Sequence, residues 1–428
     1  MPALDLAWIR DQFPALAQKV GDHPAVFFDG PGGTQVPQRV IDAIGDYLIH
    51  SNANTHGAFA TSARSDATIA EAHAATADLL GCDPDEVVFG PNMTTLTFAI
   101  SRAIGRELSA GDEIVVTRLD HDANVAPWRA LEERGVIVRA VDIDVEDCTL
   151  DMDDLARQIT PRTKLVAIGY ASNAVGTIND VTEVTRLAHA VGALSYVDAV
   201  HYAPHGPIDV RAIDCDFLAC SPYKFFAPHM GALYGKREHL TRLQPYKVRP
   251  AANQTPDRWE TGTKNHEGLA GVAAAIDYLA ELGTRYRGLG TGSGSSTTNP
   301  QSPIPNRRTA LLAAMTAIQA YERGLAEKLI AGLLRVPGLT FYGIREPERF
   351  GQRTPTVSIR IAGHSPHELA EFLGQRGIFT WDGNYYALSL TERLGVEDSG
   401  GMLRIGLAHY NTAAEVDSLL AALGEIAG

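Results

Sequence analysis

The chain has 428 residues, enough for two or three ordinary domains, and its 45% hydrophobic and 21% charged residues describe a folded globular protein, not a disordered, fibrous or coiled-coil one. A net charge of −14, from 37 basic against 51 acidic residues, argues against a nucleic-acid or anionic-membrane surface, because neutralising phosphates needs a basic excess. No run approaches the roughly 20 apolar residues of a membrane span, and the opening MPALDLAWIRDQF lacks the flank and apolar stretch of a secretion signal, so a cytoplasmic location is expected.

Short apolar, β-branched runs alternate with helical periodicity for most of the first 285 residues. The strands predicted in chain order are Val87–Gly90, Glu113–Thr117, Val136–Asp142, Lys164–Gly169, Ala193–Asp198, Asp216–Cys220 and Gly231–Gly235. Amphipathic helices are predicted between them, among others at Thr95–Glu107, Val125–Arg134 and Glu183–Ala190. Such alternation predicts βα units and a mainly parallel, doubly wound α/β sheet, whose ligands bind outside the carboxyl ends of the strands. The Gly/Ser/Pro-rich block 288–305 reads as a linker or exposed loop. A helix at Arg308–Leu334 is predicted next, then strands at Leu339–Tyr342, Thr356–Ile361, Ile378–Thr380 and Met402–Leu407. Helices at Pro366–Gln375 and Ala413–Leu423 complete a smaller α+β domain. The expected division is therefore a large domain over 22–287 and a small one made of 1–21 and 306–428.

The four cysteines, Cys82, Cys148, Cys215 and Cys220, form no CxxC pair and no zinc-like cluster with histidine, so neither a disulfide framework nor a metal site is expected. No GxGxxG follows an early strand, which removes a dinucleotide-binding reading.

Three features carry chemistry. In GPNMTTLTFAI, Gly90 closes a strand and Met93, Thr94 and Thr95 open a helix whose free amides favour an anion such as phosphate. Asp198 ends the strand ALSYVD, where a carboxylate can keep a pyridine nitrogen protonated. Lys224, one of seven lysines, follows the next strand in SPYKFFAP, and among aromatic residues its amine can lose a proton and form an imine. Ser221 adds a hydroxyl beside it. Singly each has a plainer reading: a threonine-capped helix, a helix-capping aspartate, a solvated strand-end lysine. A cofactor that needs all three together is pyridoxal 5'-phosphate.

In sequence order these segments resemble the class V aminotransferase group of fold-type I pyridoxal-phosphate enzymes, in its cysteine desulfurase-like branch, from about Phe28 to Thr412. The resemblance implies a large domain with a mainly parallel seven-stranded doubly wound sheet and a smaller α+β C-terminal domain. TRLDHDANVAPW is similar to that branch's TEHHANxxPW and implies that His121 stacks on the cofactor ring. YASNAVGTIND resembles the SNxxG segment, assigning Asn173 to the ring's phenolic oxygen and to substrate. VDAVH resembles VDxxQ, giving Asp198 to the pyridine nitrogen and setting His201 where a glutamine usually meets the phenolic oxygen. SPYK resembles SxHK, giving Ser221 to the phosphate and Lys224 to the Schiff base, with Tyr223 replacing a phosphate-binding histidine. WETGTKN resembles ExGTPN and implies that Thr263 reaches a phosphate across a homodimer interface with shared active sites. LRIGLAHYNT resembles VRxSLxxYNT and implies Arg404 as the clamp for a substrate α-carboxylate, a task suited to the guanidinium fork.

A desulfurase of that branch also needs a thiol on the segment before the arginine strand, which here reads Phe379–Gly401 without a cysteine. Trp381, Asp382, Asn384, Tyr385 and Tyr386 occupy it instead, and Tyr385 and Tyr386 are expected to shape the substrate pocket, with His56 at its entrance. The expected reaction is β-elimination from an L-amino acid, a C–S lyase acting on a cysteine-type conjugate. Transamination and epimerisation by a class V enzyme are the alternatives, and persulfide-forming desulfuration ranks below them for want of the thiol.

Overall fold

A computed structural model describes residues 4–291 and 306–428. Its centre is a seven-stranded sheet in the order Val87–Gly90, Gly231–Gly235, Phe217–Cys220, Leu194–Asp198, Thr163–Gly169, Glu113–Thr117, Ile137–Val141. The strands are parallel except Gly231–Gly235, which runs antiparallel to both neighbours. Ten residues separate Cys220 from Gly231, too few for a crossover helix, so the chain turns back on itself. All seven predicted strands are present, as an α/β fold with a mixed, mostly parallel sheet.

Helices cover both faces, which is why the strands read as near-continuous apolar runs. Val115, Val166, Ile168, Val197 and Leu218 face one apolar core, while Ile114, Val116, Leu165, Ala167, Tyr196 and Phe217 face the other with Trp128. On that second side the helix Met93–Gly105 lies against the sheet, its Thr97 hydroxyl 2.8 Å from the Tyr196 hydroxyl. The predicted helix Val125–Arg134 is a single α turn, Ala126–Arg129, continued as a 3₁₀ helix to Arg134.

A second, four-stranded antiparallel sheet has the order Leu339–Tyr342, Thr356–Ile361, Met402–Gly406, Trp381–Gly383. Trp381–Gly383 is an edge strand where a loop was expected. Separately, Ile378–Phe379 pairs with Val26–Phe27, and Asp29 bridges to Gly406. Residues 26–29, counted with the larger unit in the sequence, are thus stitched to the C-terminal strands. That stitch carries Pro31 to the carboxyl ends of the central sheet.

The long helices His266–Thr291 and Arg307–Leu333 pack closely, and a Cβ at Gly283 would collide with the Ala310 carbonyl. The first four residues of the expected linker, 288–291, belong to the helix, and 292–305 lie outside the described residues. No described helix is long and apolar enough to cross a membrane.

Candidate active site

At the carboxyl ends of the central strands lies a cavity of about 930 Å³, bounded by both sheets. It runs into an inner chamber of about 80 Å³, and Thr94, His121, Ala123, Asn173, Tyr223 and Lys224 line both. The parallel register sets Asp198 opposite Ala219 and Gly169, so the acid and the lysine that follows Cys220 emerge at the same edge.

Lys224 is buried, and its Nζ donates to the Pro31 carbonyl. Burial, then the Arg404 charge, pulls the ammonium down to about 7, with Asp198 acting the other way. The amine is therefore substantially neutral near physiological pH. Asp198 is pushed up to about 6 by burial, offset by the Val200 amide, which donates to its Oδ1 at 2.9 Å, and by Lys224. Asp120 lines the same chamber and is held far above the usual carboxylate range by burial and by the Asp198 charge. Asp120 accepts from the Gly169 amide at 2.6 Å and from Asn124 at 3.2 Å. A proton retained on Asp120 leaves the negative charge of the pair to Asp198. Asp120 lies inside a quoted motif, next to His121, but nothing in its spacing distinguishes it.

Met93 and Thr94 supply the first two amides of their helix, which have no partner within it, and both line the inner chamber with Ser221. Thr95 is a correction. Asn92 caps the helix, and its Oδ1 accepts from the Thr95 amide at 2.8 Å and from the Thr95 hydroxyl at 3.0 Å, so neither donor is free for an anion. Asn92, Met93 and Thr94 are the residues of this helix start that line the inner chamber. Tyr223 lines both spaces, its ring stacked on His229 at 4.8 Å and 5.2 Å from Lys224 Nζ.

His121 Nδ1 accepts from the Ala123 amide at 3.0 Å, which places the proton of the neutral ring on Nε2. Burial and then the Lys224 and Arg404 charges lower its pKa to about 4. Tyr386 stacks on this ring at 5.4 Å. Tyr385 and Tyr386 both have φ near +60°, a strained left-handed pair for non-glycine residues. They face different ways: Tyr386 is 73% exposed, while Tyr385 is buried and its hydroxyl donates to the Met402 carbonyl.

Arg404, in the strand Met402–Gly406, is buried with its guanidinium 4.3 Å over the Tyr385 ring. Its Nη1 donates to the Asn173 carbonyl at 3.0 Å, and burial lowers its pKa to about 10. Asn173 Nδ2 donates to the Tyr385 carbonyl at 2.9 Å. Asp29, absent from the sequence reading, is pushed up to about 6 by burial, opposed by its own backbone amide and by Arg404, and leaves Oδ1 without a partner.

Two expected residues are not brought here by a single chain. His56 is 83% exposed in its side chain and 3.5 Å from Asp66. Thr263 is exposed and lines a separate hollow with Asn54, Thr55 and His266. No cysteine lines either space. Cys148, Cys215 and Cys220 are buried and Cys82 is partly so, and burial raises all four thiols, that of Cys148 to about 12.

Whether these residues suit pyridoxal 5'-phosphate is tested by the buried polar atoms the chain leaves unpaired. Asn173 Oδ1, His201 Nδ1 and Arg404 Nε are such atoms, and their residues line the two spaces. Buried polar groups are seldom without a partner, be it protein, water or ligand, and these three face the two spaces where a ligand can supply one. Unpaired helix-start amides for a phosphate, a carboxylate on the chamber wall for a ring nitrogen and a neutral amine for an aldehyde complete a donor set that fits the group.

Comparison with known proteins agrees with this chemistry. The aminotransferase class-V family matches residues 26–286 and 310–419. A cysteine desulfurase of Dickeya dadantii is 32% identical over 98% of this chain and 96% of its own length. An apo structure of the cysteine desulfurase from Thermococcus onnurineus NA1 superposes with a TM-score of 0.85 at 25% identity, covering 100% of this chain and 99% of that one. The cysteine desulfurase CsdA (S-sulfonic acid) from Escherichia coli gives 0.82 at 27% identity, covering 99% and 98%.

Proposed function

The chain belongs to the aminotransferase class-V family of pyridoxal-phosphate enzymes, and from that premise we propose that it is a C–S lyase cleaving the Cβ–S bond of a cysteine-type conjugate. The observation that carries the reading is the wall built by 379–401. Relatives named cysteine desulfurases act on a sulfur amino acid, yet in this chain that wall is Trp381, Asp382, Asn384, Tyr385 and Tyr386. The four thiols lie elsewhere, protonated and away from the cavity. A sulfur substituent can therefore leave, but no thiolate is placed to receive it as a persulfide.

Arg404 binds the α-carboxylate, with Asn173 beside it fixing the angle of approach. Lys224, neutral above about pH 7, takes the proton from Cα. Asp198, kept anionic by the proton on Asp120, holds positive charge at the ring nitrogen. When bound, the cofactor supplies an electron sink for the charge left at Cα. The Cβ–S bond then breaks with its electron pair on sulfur, and the neutral His121 ring offers its Nε2–H as a hydrogen-bond donor to the departing thiolate, which takes its proton from water. The three-carbon remainder hydrolyses to pyruvate and ammonia.

Incubation with cysteine, S-substituted cysteines, cysteine sulfoxides and alanine tests this. The expected result is pyruvate in equal amount to the released sulfur product (sulfide from cysteine, thiol from S-substituted cysteines, sulfenic acid from sulfoxides), with none from alanine and no persulfide on the protein. Amino-group transfer to a keto acid without Cβ–S cleavage, or a protein-bound persulfide, overturns it.

The resemblance of WETGTKN, which sets Thr263 at a partner's phosphate, supports a homodimer with shared sites, and Thr263 lies outside the cavity of its own chain. Thr263→Ala is then expected to weaken cofactor retention by roughly tenfold, the worth of one hydrogen bond to a charged group. Full activity from a species that sediments as a monomer refutes the shared site.

A further inference from the structure

The turn after Asp198 carries a histidine, His201, that is buried, lines the inner chamber and keeps one ring nitrogen, Nδ1, without a partner. Its other nitrogen, Nε2, lies 3.1 Å from the Thr354 hydroxyl. That hydroxyl is also 3.3 Å from the Gly176 carbonyl, which can only accept. A hydroxyl has one proton. Given to Gly176, whose carbonyl also accepts the Thr354 amide at 2.8 Å, it leaves the Thr354 oxygen as an acceptor and His201 Nε2 as the N–H donor; given to His201 it makes Nε2 the acceptor and puts the ring proton on Nδ1.

We propose that Thr354 fixes His201 in the tautomer protonated on Nε2, so that His201 offers the cofactor's phenolic oxygen a bare lone pair and not a proton. The inference rests on the cofactor placement in the proposed function.

The charges facing His201 oppose a second proton. Lys224 and Arg404 lie on the chamber side, and the His205 ring stands 5.2 Å away at 68°. With burial, these hold the imidazole well below its ordinary pKa. His205 Nδ1 is in turn 2.8 Å from Glu322, whose carboxyl burial pushes up. Thr354, His205 and Glu322 share a small hollow with Arg353, whose guanidinium donates to the carbonyls of Ile344, Val175, Thr354 and Thr356. Asp198, Asp120, His121 and Tyr223 line the same chamber.

The consequence is spectroscopic. A donor aimed at the phenolic oxygen favours its anion, whereas a lone pair favours its hydroxyl form. The glutamine that the resemblance sets at this place has an amide NH₂ to donate, and His201 in this tautomer does not. The bound cofactor should therefore show a raised share of the near-ultraviolet band of the hydroxyl form relative to the visible band of the anion.

The test uses cofactor-loaded protein at one fixed pH. His201→Gln is expected to raise the visible to near-ultraviolet ratio roughly tenfold, the size of one hydrogen bond. Thr354→Val, which frees the tautomer, should move the ratio the same way, and Thr354→Ser should restore it. Unchanged ratios in both His201→Gln and Thr354→Val overturn the proposal. Should the variants fail to fold, nitrogen-15 NMR of the unsubstituted, cofactor-free chain decides: a pyridine-like His201 Nδ1 supports it and a protonated Nδ1 overturns it. Failure to bind pyridoxal 5'-phosphate at all is a different result, which sinks the proposed function while the NMR tautomer still reads His201.

Discussion

Lys224→Ala is expected to bind pyridoxal 5'-phosphate without covalent attachment and to lose at least ~10³-fold in kcat, because one residue serves as both cofactor anchor and general base. The amine is buried beside Pro31, Tyr223 and Asp198, and burial is the largest influence on it. Lys224→Arg should do no better, since a guanidinium cannot give up its proton there. The sign of the pH dependence follows from the lowered pKa. A lysine depressed to about 7 is mostly neutral above that value and mostly charged below it. Capture of added cofactor by the cofactor-free protein should therefore accelerate as pH rises through about 7 and level off beyond. An ordinary lysine would keep gaining until near pH 10. Borohydride trapping followed by mass spectrometry reads both claims. An adduct on another residue, or a midpoint near 10, contradicts them.

What the chain discloses before folding depends on how local the physics is. Strands buried on both faces advertise themselves as apolar runs, so Glu113–Thr117 and Leu194–Asp198 are legible within a residue. Lys224 and Asp198 are legible too, because each follows or ends such a run and the parallel register does the rest. Trp381–Gly383 is not, since three residues with an Asp and a Gly carry no strand pattern and are held only by pairing with Met402–Gly406. Thr95 was misassigned for a local reason, an asparagine cap that claims its donors. Asp29 and Asp120 were invisible for a distant one. Each is an unremarkable acid in sequence, and only the tertiary fold sets one against the Arg404 charge and the other in one chamber with Asp198.

The substrate clamp gives the second large effect. Arg404→Lys is expected to raise KM for amino acids about 10²-fold with a smaller change in kcat. The guanidinium already spends one N–H on the Asn173 carbonyl and rests over the Tyr385 ring, so it is oriented before any carboxylate arrives. Its unpaired Nε and the rest of the fork can then make two charge-assisted bonds, each worth about 1.5–3 kcal/mol. An ammonium has the charge but not the fork, and losing one such bond together with its alignment costs about 3 kcal/mol, which is roughly 10²-fold. Arg404→Ala carries a further signature through Asp29. Arg404 is the cation that opposes burial in setting that carboxyl at about 6. Without it the Asp29 pKa climbs further. An acid raised above its unfolded value stabilises the fold below the unfolded pKa and loses that contribution as pH rises through the folded one. The urea midpoint of Arg404→Ala should consequently fall more steeply than that of the parent protein as pH rises above about 6, while Arg404→Lys, which keeps the charge, should not show the extra slope. An unchanged KM in Arg404→Lys removes Arg404 from the substrate site. Equal pH slopes for Arg404→Ala and the parent separate it from Asp29.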